Sequence, residues 1–288
     1  MKFATYVYEG KRCVGAVDER AGVVRRIDLS TMLELIESDG RVAVDSSGVG
    51  EELPLRDVQL LAPIPSPRRN IFCVGKNYRD HAKEFSRSGF EAGARPDDVI
   101  DDYPAVFTKP ATSVIGTGAH VPLHPGVTAA VDYEGELAVV IGKGGINIPR
   151  ESAWRHVWGY TIINDVTARD RQKNHRQWFL GKGLDGFCPM GPWITTADEI
   201  DPSDLRIRTW VNGELRQDAS LTELIFDIPT LIASISAGMT LMPGDIIATG
   251  TPSGVGIGMN PPRFLSSGDV VAVEVDGIGR LENAFGTP

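Results

Sequence analysis

Cysteine is scarce in this chain. Only Cys13, Cys73 and Cys188 occur, far apart and odd in number. No CxxC pair is present, which argues against a disulfide framework and a thiolate metal site. Reduced thiols in a cytoplasmic protein are the expectation. Long apolar runs are missing too. None reaches the ~18 uncharged residues that suggest a membrane span, and MKFATYVYEGKRC has no apolar core of a signal peptide. No membrane partner is expected. Positive charge is in deficit, with 29 Lys and Arg against 38 Asp and Glu and a formal net charge of -9. That balance lacks the footprint of a nucleic-acid binder. A local positive site for a small anion remains compatible with it. There is no H-E-x-x-H helix and no Walker loop. In GDIIATGTPSGVGIG the spacing from Gly254 is G-x-G-x-G, which is not a dinucleotide fingerprint. No internal repeat or low-complexity segment is found.

What remains is an ordinary globular composition. Hydrophobic residues make up 42% and charged residues 23% of 288 positions, enough to bury a full core without covalent staples. Residues 1–65 read as a small N-terminal α/β unit. FATYVYEGKRCVGAVDE predicts a hairpin turning at Glu9-Gly10. TMLELIESDG predicts a short helix from Thr31 to a stop at Gly40. The proline-rich LAPIPSPRRN reads as a linker, with residues 66–288 as the main domain. There NIFCVG reads as a buried strand and RDHAKEFSR as a polar helix. GFEAGARPDDVIDDYP has no clear period and reads as a disordered or functional loop. Short β-patterned runs then dominate: PAVFTKP, ELAVVIG, VWGYTIIND, PWITT, LRIRTWVNGEL, DIIATG and DVVAVEVDGIGRLEN. Asn212-Gly213 signals a hairpin. LTELIFDIPTLIASISAG is the one long helical pattern, interrupted at Pro229. Strands and helices do not alternate as in a doubly wound fold. The expected class is therefore strand-rich α+β.

The segment VDYEGELAVV carries Asp132, Glu134 and Glu136 at alternate positions. Period two places all three carboxylates on one strand face. Such a row needs water, cationic partners or a metal ion. Asp165 ends another β-patterned run, GYTIIND. Two glutamates on one strand and an aspartate from a neighbour could make an oxygen half-shell around a hard divalent cation. A solvated strand face with a capping aspartate would carry the same residues.

Other candidates are equally double-edged one at a time. His81 and Glu84 lie three apart and share a face if RDHAKEFSR is helical. The pair could form a general base oriented by a carboxylate, or simply belong to a charged surface helix. Lys182, in GKG, and Lys109, in FTKP, could neutralise a substrate carboxylate or a developing enolate, or sit at surface turns. The glycine-rich segment with Thr251 could hold a carboxylate on its amides and hydroxyl, or be a plain turn. His120 and His124, beside prolines in HVPLHP, read as structural.

Taken in order, VGKNYRDHAKE, FTKP, DYEGELAVVIGK, GYTIINDVTARDRQ, GKGLDGFCPMGPW, VNGELRQ and GDIIATGTPSGVG resemble the fumarylacetoacetate hydrolase family. The resemblance runs from about Asn70 to the end. It implies a mixed β-roll core, homodimeric, behind the small N-terminal unit. It also implies magnesium or manganese held by Glu134, Glu136 and Asp165, with Asp132 a neighbour of that set. A mobile lid at about residues 76–104 would carry the His81–Glu84 dyad. Lys182 would be the active-site lysine, and Lys109, Gln172 and Thr251 would contact substrate.

The implied substrate is a small 2-oxo acid. The first expected reaction is hydrolytic cleavage of a C–C bond in an acylpyruvate, with a metal-stabilised enolate leaving and His81 activating water. Decarboxylation of an oxaloacetate-type acid and isomerisation of a 2-hydroxy-dienoate use the same enolate. A non-catalytic metal-binding homologue is the rival from another class.

Overall fold

The computed structural model describes residues 1–38, 49–90 and 101–287. Strands β1 (Lys2–Tyr8), β2 (Lys11–Asp18) and β3 (Val23–Ile27) are followed by helix α1 (Met32–Glu37), β4 (Val49–Pro54) and β5 (Gln59–Leu60). Next come β6 (Ile71–Gly75), α2 (Arg79–Arg87), β7 (Ala105–Lys109), β8 (Val114–Ile115), β9 (Val131–Asp132) and β10 (Gly135–Ile141). The chain continues through β11 (Val157–Asn164), β12 (Thr167–Ala168), α3 (Arg169–Asn174), α4 (Phe179–Lys182) and β13 (Cys188–Thr196). It closes with β14 (Arg206–Val211), β15 (Glu214–Ser220), α5 (Ile228–Ser236), β16 (Ile246–Ala248), β17 (Val270–Val275) and β18 (Gly279–Ala284).

Local chemistry explains the early elements. Glu9 and Gly10 have φ of 47° and 74°, the double positive φ of a type I′ hairpin turn. Asn212 and Gly213, at 52° and 80°, do the same between β14 and β15. Thr31 caps α1 by accepting from the Glu34 N–H at 3.2 Å, and the helix ends at Glu37. Gly40, the expected stop, lies outside the described residues, as do residues 91–100 of the expected lid. LTELIFDIPTLIASISAG does not form one long helix. A single turn covers Leu221–Glu223, and α5 starts only at Ile228. Asp227 caps it by accepting from Thr230 N–H at 2.9 Å, so Pro229 opens this helix rather than interrupting it.

A large mixed sheet runs in the order β4-β3-β2-β1-β13-β11-β10-β16-β6-β7, with β5 on β1 and β8 on β13. The N-terminal 65 residues and the remainder share it through β1 and β13, where Phe3 faces Ile194. A second sheet, β15-β14-β17-β18, covers one face. Strand β10 lies between β11 and β16 and is buried along its whole length. Leu137, Val139 and Ile141 join Ile207, Val273 and α5's Leu231 in one core, while Ala138 and Val140 join Ile163, Cys73 and Leu35 in another. A strand covered on both faces needs the near-continuous apolar run ELAVVI. Against that background the charges at its start stand out.

Candidate active site

Antiparallel pairing builds the acidic cluster. Gly135 on β10 faces Asn164 on β11. Asp165 N–H donates to Glu134 O at 2.8 Å, and Glu134 N–H donates to Asn164 Oδ1 at 3.0 Å. Those bonds bring the Asp165 side chain beside the two glutamates. One carboxylate oxygen from each of Glu134, Glu136 and Asp165 lies within 4.8 Å of the others, and all three residues are buried.

Asp132 departs from the expected single row. The chain leaves β9 at Asp132 and enters β10 only at Gly135. Asp132 instead accepts from the Gly256 and Ile257 N–H groups at 2.8 and 3.1 Å and from Arg169 Nε at 2.9 Å. The glycine-rich segment does hold carboxylates on its amides. They are the protein's own Asp132 and Glu84, the latter taking the Gly254 N–H at 3.1 Å.

Cations line the same recess. Lys182 Nζ bridges Glu134 and Asp165 at 2.7 Å each. Lys109 Nζ bonds Asp165 at 2.6 Å, Val166 O at 3.0 Å and the Lys182 carbonyl. Neither lysine is a surface-turn residue: their exposures are 2% and 0%. Gly181 lets α4 close onto α3, since a Cβ there would sit 2.6 Å from Gln172 N. Arg169 Nη1 reaches Glu134 at 2.6 Å and Gln172 Oε1 at 3.3 Å.

Above this floor sits α2. His81 Nδ1 lies 3.2 Å from Glu84 Oε2, and both side chains are largely buried. The His81 ring stacks on Phe85, which meets Trp178 edge-on. His81, Phe85, Phe107, Glu134, Glu136, Arg169, Gln172, Trp178, Lys182 and Thr251 line a cavity of about 10 Å³. Thr251 donates to Gly135 O at 2.9 Å. The sequence candidates thus converge on one place.

Charge is finely balanced there. Four buried carboxyl groups (Asp132, Glu134, Glu136, Asp165) face three buried cations (Lys109, Arg169, Lys182), and Lys76 lines the same cavity. Burial alone would raise the Glu134 carboxyl, but Lys182 and Arg169 outweigh it and bring it down to about 2. Among the described residues Glu136 makes no ion pair; it accepts from Gly250 N–H at 2.9 Å. Burial pushes its carboxyl well above the ordinary range, and Asp165 and Glu134 add to the effect. Burial also opposes charge on Lys182, yet Asp165 and Glu134 prevail and raise it.

Two buried residues escaped the sequence reading. Arg169 opens helix α3 in the polar run TARDRQKNHR. It is 1% exposed, and its Nη2 has no hydrogen-bond partner among the described residues. Gln217 lies on β15, and only its inward strand parity hinted at burial.

Comparison with known proteins gives the family. Residues 70–285 match the family described as fumarylacetoacetate (FAA) hydrolase, C-terminal, and the chain belongs to this family of enzymes. It is 54% identical over 233 residues to the oxaloacetate tautomerase YisK of Bacillus subtilis (strain 168), covering 81% of this chain and 74% of that protein. A fumarylacetoacetate hydrolase from psychrophilic Exiguobacterium antarcticum superposes with a TM-score of 0.87 at 43% identity, over 100% of both chains. Maleylpyruvate hydrolase from Sphingobium sp. SYK-6, solved with manganese(II) and pyruvate, superposes with a TM-score of 0.78 at 31% identity, over 99% of both chains. Among the described residues no helix is long and apolar enough to cross a membrane.

Proposed function

We propose that this protein interconverts the enol and keto forms of a small 2-oxo acid of the oxaloacetate type, using a divalent cation. The observation that carries the reading is the buried recess of four acids and three bases beneath the His81–Glu84 pair. The 54% identical tautomerase supports the choice of reaction.

The donor set fits a magnesium or manganese ion. Hard cations take carboxylate oxygens, and Glu134, Glu136 and Asp165 offer three within 4.8 Å. A divalent cation added beside Lys182 and Arg169 makes the recess more positive, which suits an anionic substrate. A cation held there supplies Lewis acidity that stabilises an enolate oxygen.

The chain's own groups do the rest. Arg169 is held by Asp132, Glu134 and Gln172, which leaves Nη2 for a substrate carboxylate. Lys182 adds positive charge beside the developing enolate. Glu84 engages Nδ1 of His81, so Nε2 is the nitrogen that carries a proton to or from the substrate carbon. Phe85, Trp178 and Phe107 close the recess against bulk water.

Hydrolytic C–C cleavage of an acylpyruvate is the second reading. The cavity beside His81, at about 10 Å³, is close to what one water needs, and the maleylpyruvate hydrolase is similar over its length. A product assay separates the two. Enol oxaloacetate and acetylpyruvate are offered separately, with manganese or with a chelator. Metal-dependent loss of the enol, with no acetate released from acetylpyruvate, is the expected result. Acetate release would move the reading to hydrolysis, and no turnover of either would overturn both.

A further inference from the structure

The two glutamates of the acidic cluster flank Gly135, and the Gly135 peptide is held by a closed ring of hydrogen bonds. Its N–H donates to Gln217 Oε1 at 3.1 Å. Its carbonyl accepts from Thr251 Oγ1 at 2.9 Å. The ring closes where Gln217 Nε2 donates to Thr251 Oγ1 at 2.7 Å, with the second amide hydrogen on Pro252 O, also at 2.7 Å. Gln217 is 1% exposed and comes from the small sheet, not from the sheet that bears the acids.

The chemistry admits one orientation of that amide. A flip would set NH₂ against the Gly135 N–H and the amide oxygen against the Pro252 carbonyl, leaving buried groups unpaired. The packing is equally exacting. A Cβ on Gly135 would lie 2.2 Å from Thr209 Oγ1 and 2.9 Å from Val273 Cγ1, both on the small sheet. Only glycine lets the two sheets meet here. The same loop fixes Glu136, because Gly250, next to Thr251, gives its N–H to the Glu136 carboxylate.

We propose that Gln217 is a positioning residue: through the Gly135 peptide and the Thr251 loop it sets the spacing of Glu134 and Glu136 for a divalent cation. The proposal rests on the cation reading above and adds to it a part played by the small sheet. Groups that orient metal ligands from behind typically change affinity by about 10–100-fold when removed.

Manganese titration of the purified chain tests it by calorimetry, with thermal unfolding as the control for folding. Gln217→Met keeps the volume and removes the amide. Thr251→Val removes only the hydroxyl, and Thr251→Ser retains it. The expected result is at least about a 10-fold weaker manganese affinity for Gln217→Met and Thr251→Val, with Thr251→Ser near the original. If Gln217→Met does not fold, the Thr251 pair decides the matter. Folded variants that bind manganese within twofold of the original would overturn the positioning role and leave the cation reading intact. An original chain that binds no manganese, and so behaves like Glu134→Ala, would overturn both.

Discussion

Two sets of ion pairs in this molecule use the same residue types to opposite ends. On the small sheet, Arg208 pairs with Glu274 at 2.9 Å and Asp276 at 2.8 Å, and Arg280 with Glu282 at 2.9 Å, all of them a quarter to a half exposed. In the recess, Arg169 meets Glu134 at 2.6 Å and Lys182 meets Asp165 at 2.7 Å, with exposures of 6% or less. Exposed pairs of this kind contribute about 0–1 kcal/mol each. Buried ones must first offset desolvation, and a well-packed apolar core is often as stable or more so. Stability therefore does not account for the recess. A cluster of seven buried ionisable groups makes sense as a place prepared for a cation and an anionic substrate.

The contrast can be broken from its strongest point downward. Glu134→Ala removes one of the two carboxylate partners of both Lys182 and Arg169, leaving Asp165 and Asp132, and breaking buried pairs costs up to about 3–5 kcal/mol. Urea unfolding is expected to show that loss, and calorimetry the disappearance of manganese binding together with activity. His81→Ala is expected to leave manganese binding intact while lowering turnover by about 10²–10⁴, the usual span for a general acid–base group. Steady-state kinetics beside a titration checks both halves.

Proton competition is the next effect in size. The Glu136 carboxyl is held well above the ordinary range by burial and by Asp165 and Glu134. A cation must displace that proton, so its affinity falls as pH is lowered through the raised value. Titrations at a series of pH values should show this, together with proton release on binding. Arg208→Ala is the smallest change. It should alter stability by no more than about 1 kcal/mol, and less in high salt, with manganese affinity untouched.

Much of this was legible in the sequence because the signals were local. Both hairpin turns follow from a residue pair, Glu9-Gly10 and Asn212-Gly213. The His81–Glu84 contact follows from helical spacing. Ordered motifs pointed to Glu134, Glu136, Asp165 and Lys182, whose side chains lie together. What stayed hidden depends on tertiary structure. Asp132 continues the alternation of Glu134 and Glu136, yet the chain changes partners between β9 and β10 and turns its carboxylate onto the Gly256 and Ile257 amides. Arg169 is buried because Asp132 and Glu134 close around it. Gln217 matters only because another sheet brings it to Gly135. Pro229 looks like a break because an apolar period runs on both sides of it, whereas the Asp227 cap makes it part of a helix start.

The central claim is that the recess gives up stability for cation binding, and Glu136→Gln tests it most directly. Glutamine mimics the protonated carboxyl that burial favours and keeps an acceptor for the Gly250 N–H. The sign is fixed by the raised folded value. The neutral form is the one the fold stabilises, with the full advantage below the unfolded value and its loss as pH rises through the folded one. Thermal unfolding of the metal-free variant near pH 8, followed by manganese titration, should give a midpoint equal to or above the original and binding that is lost. A lowered midpoint, or manganese binding unchanged, would contradict the account.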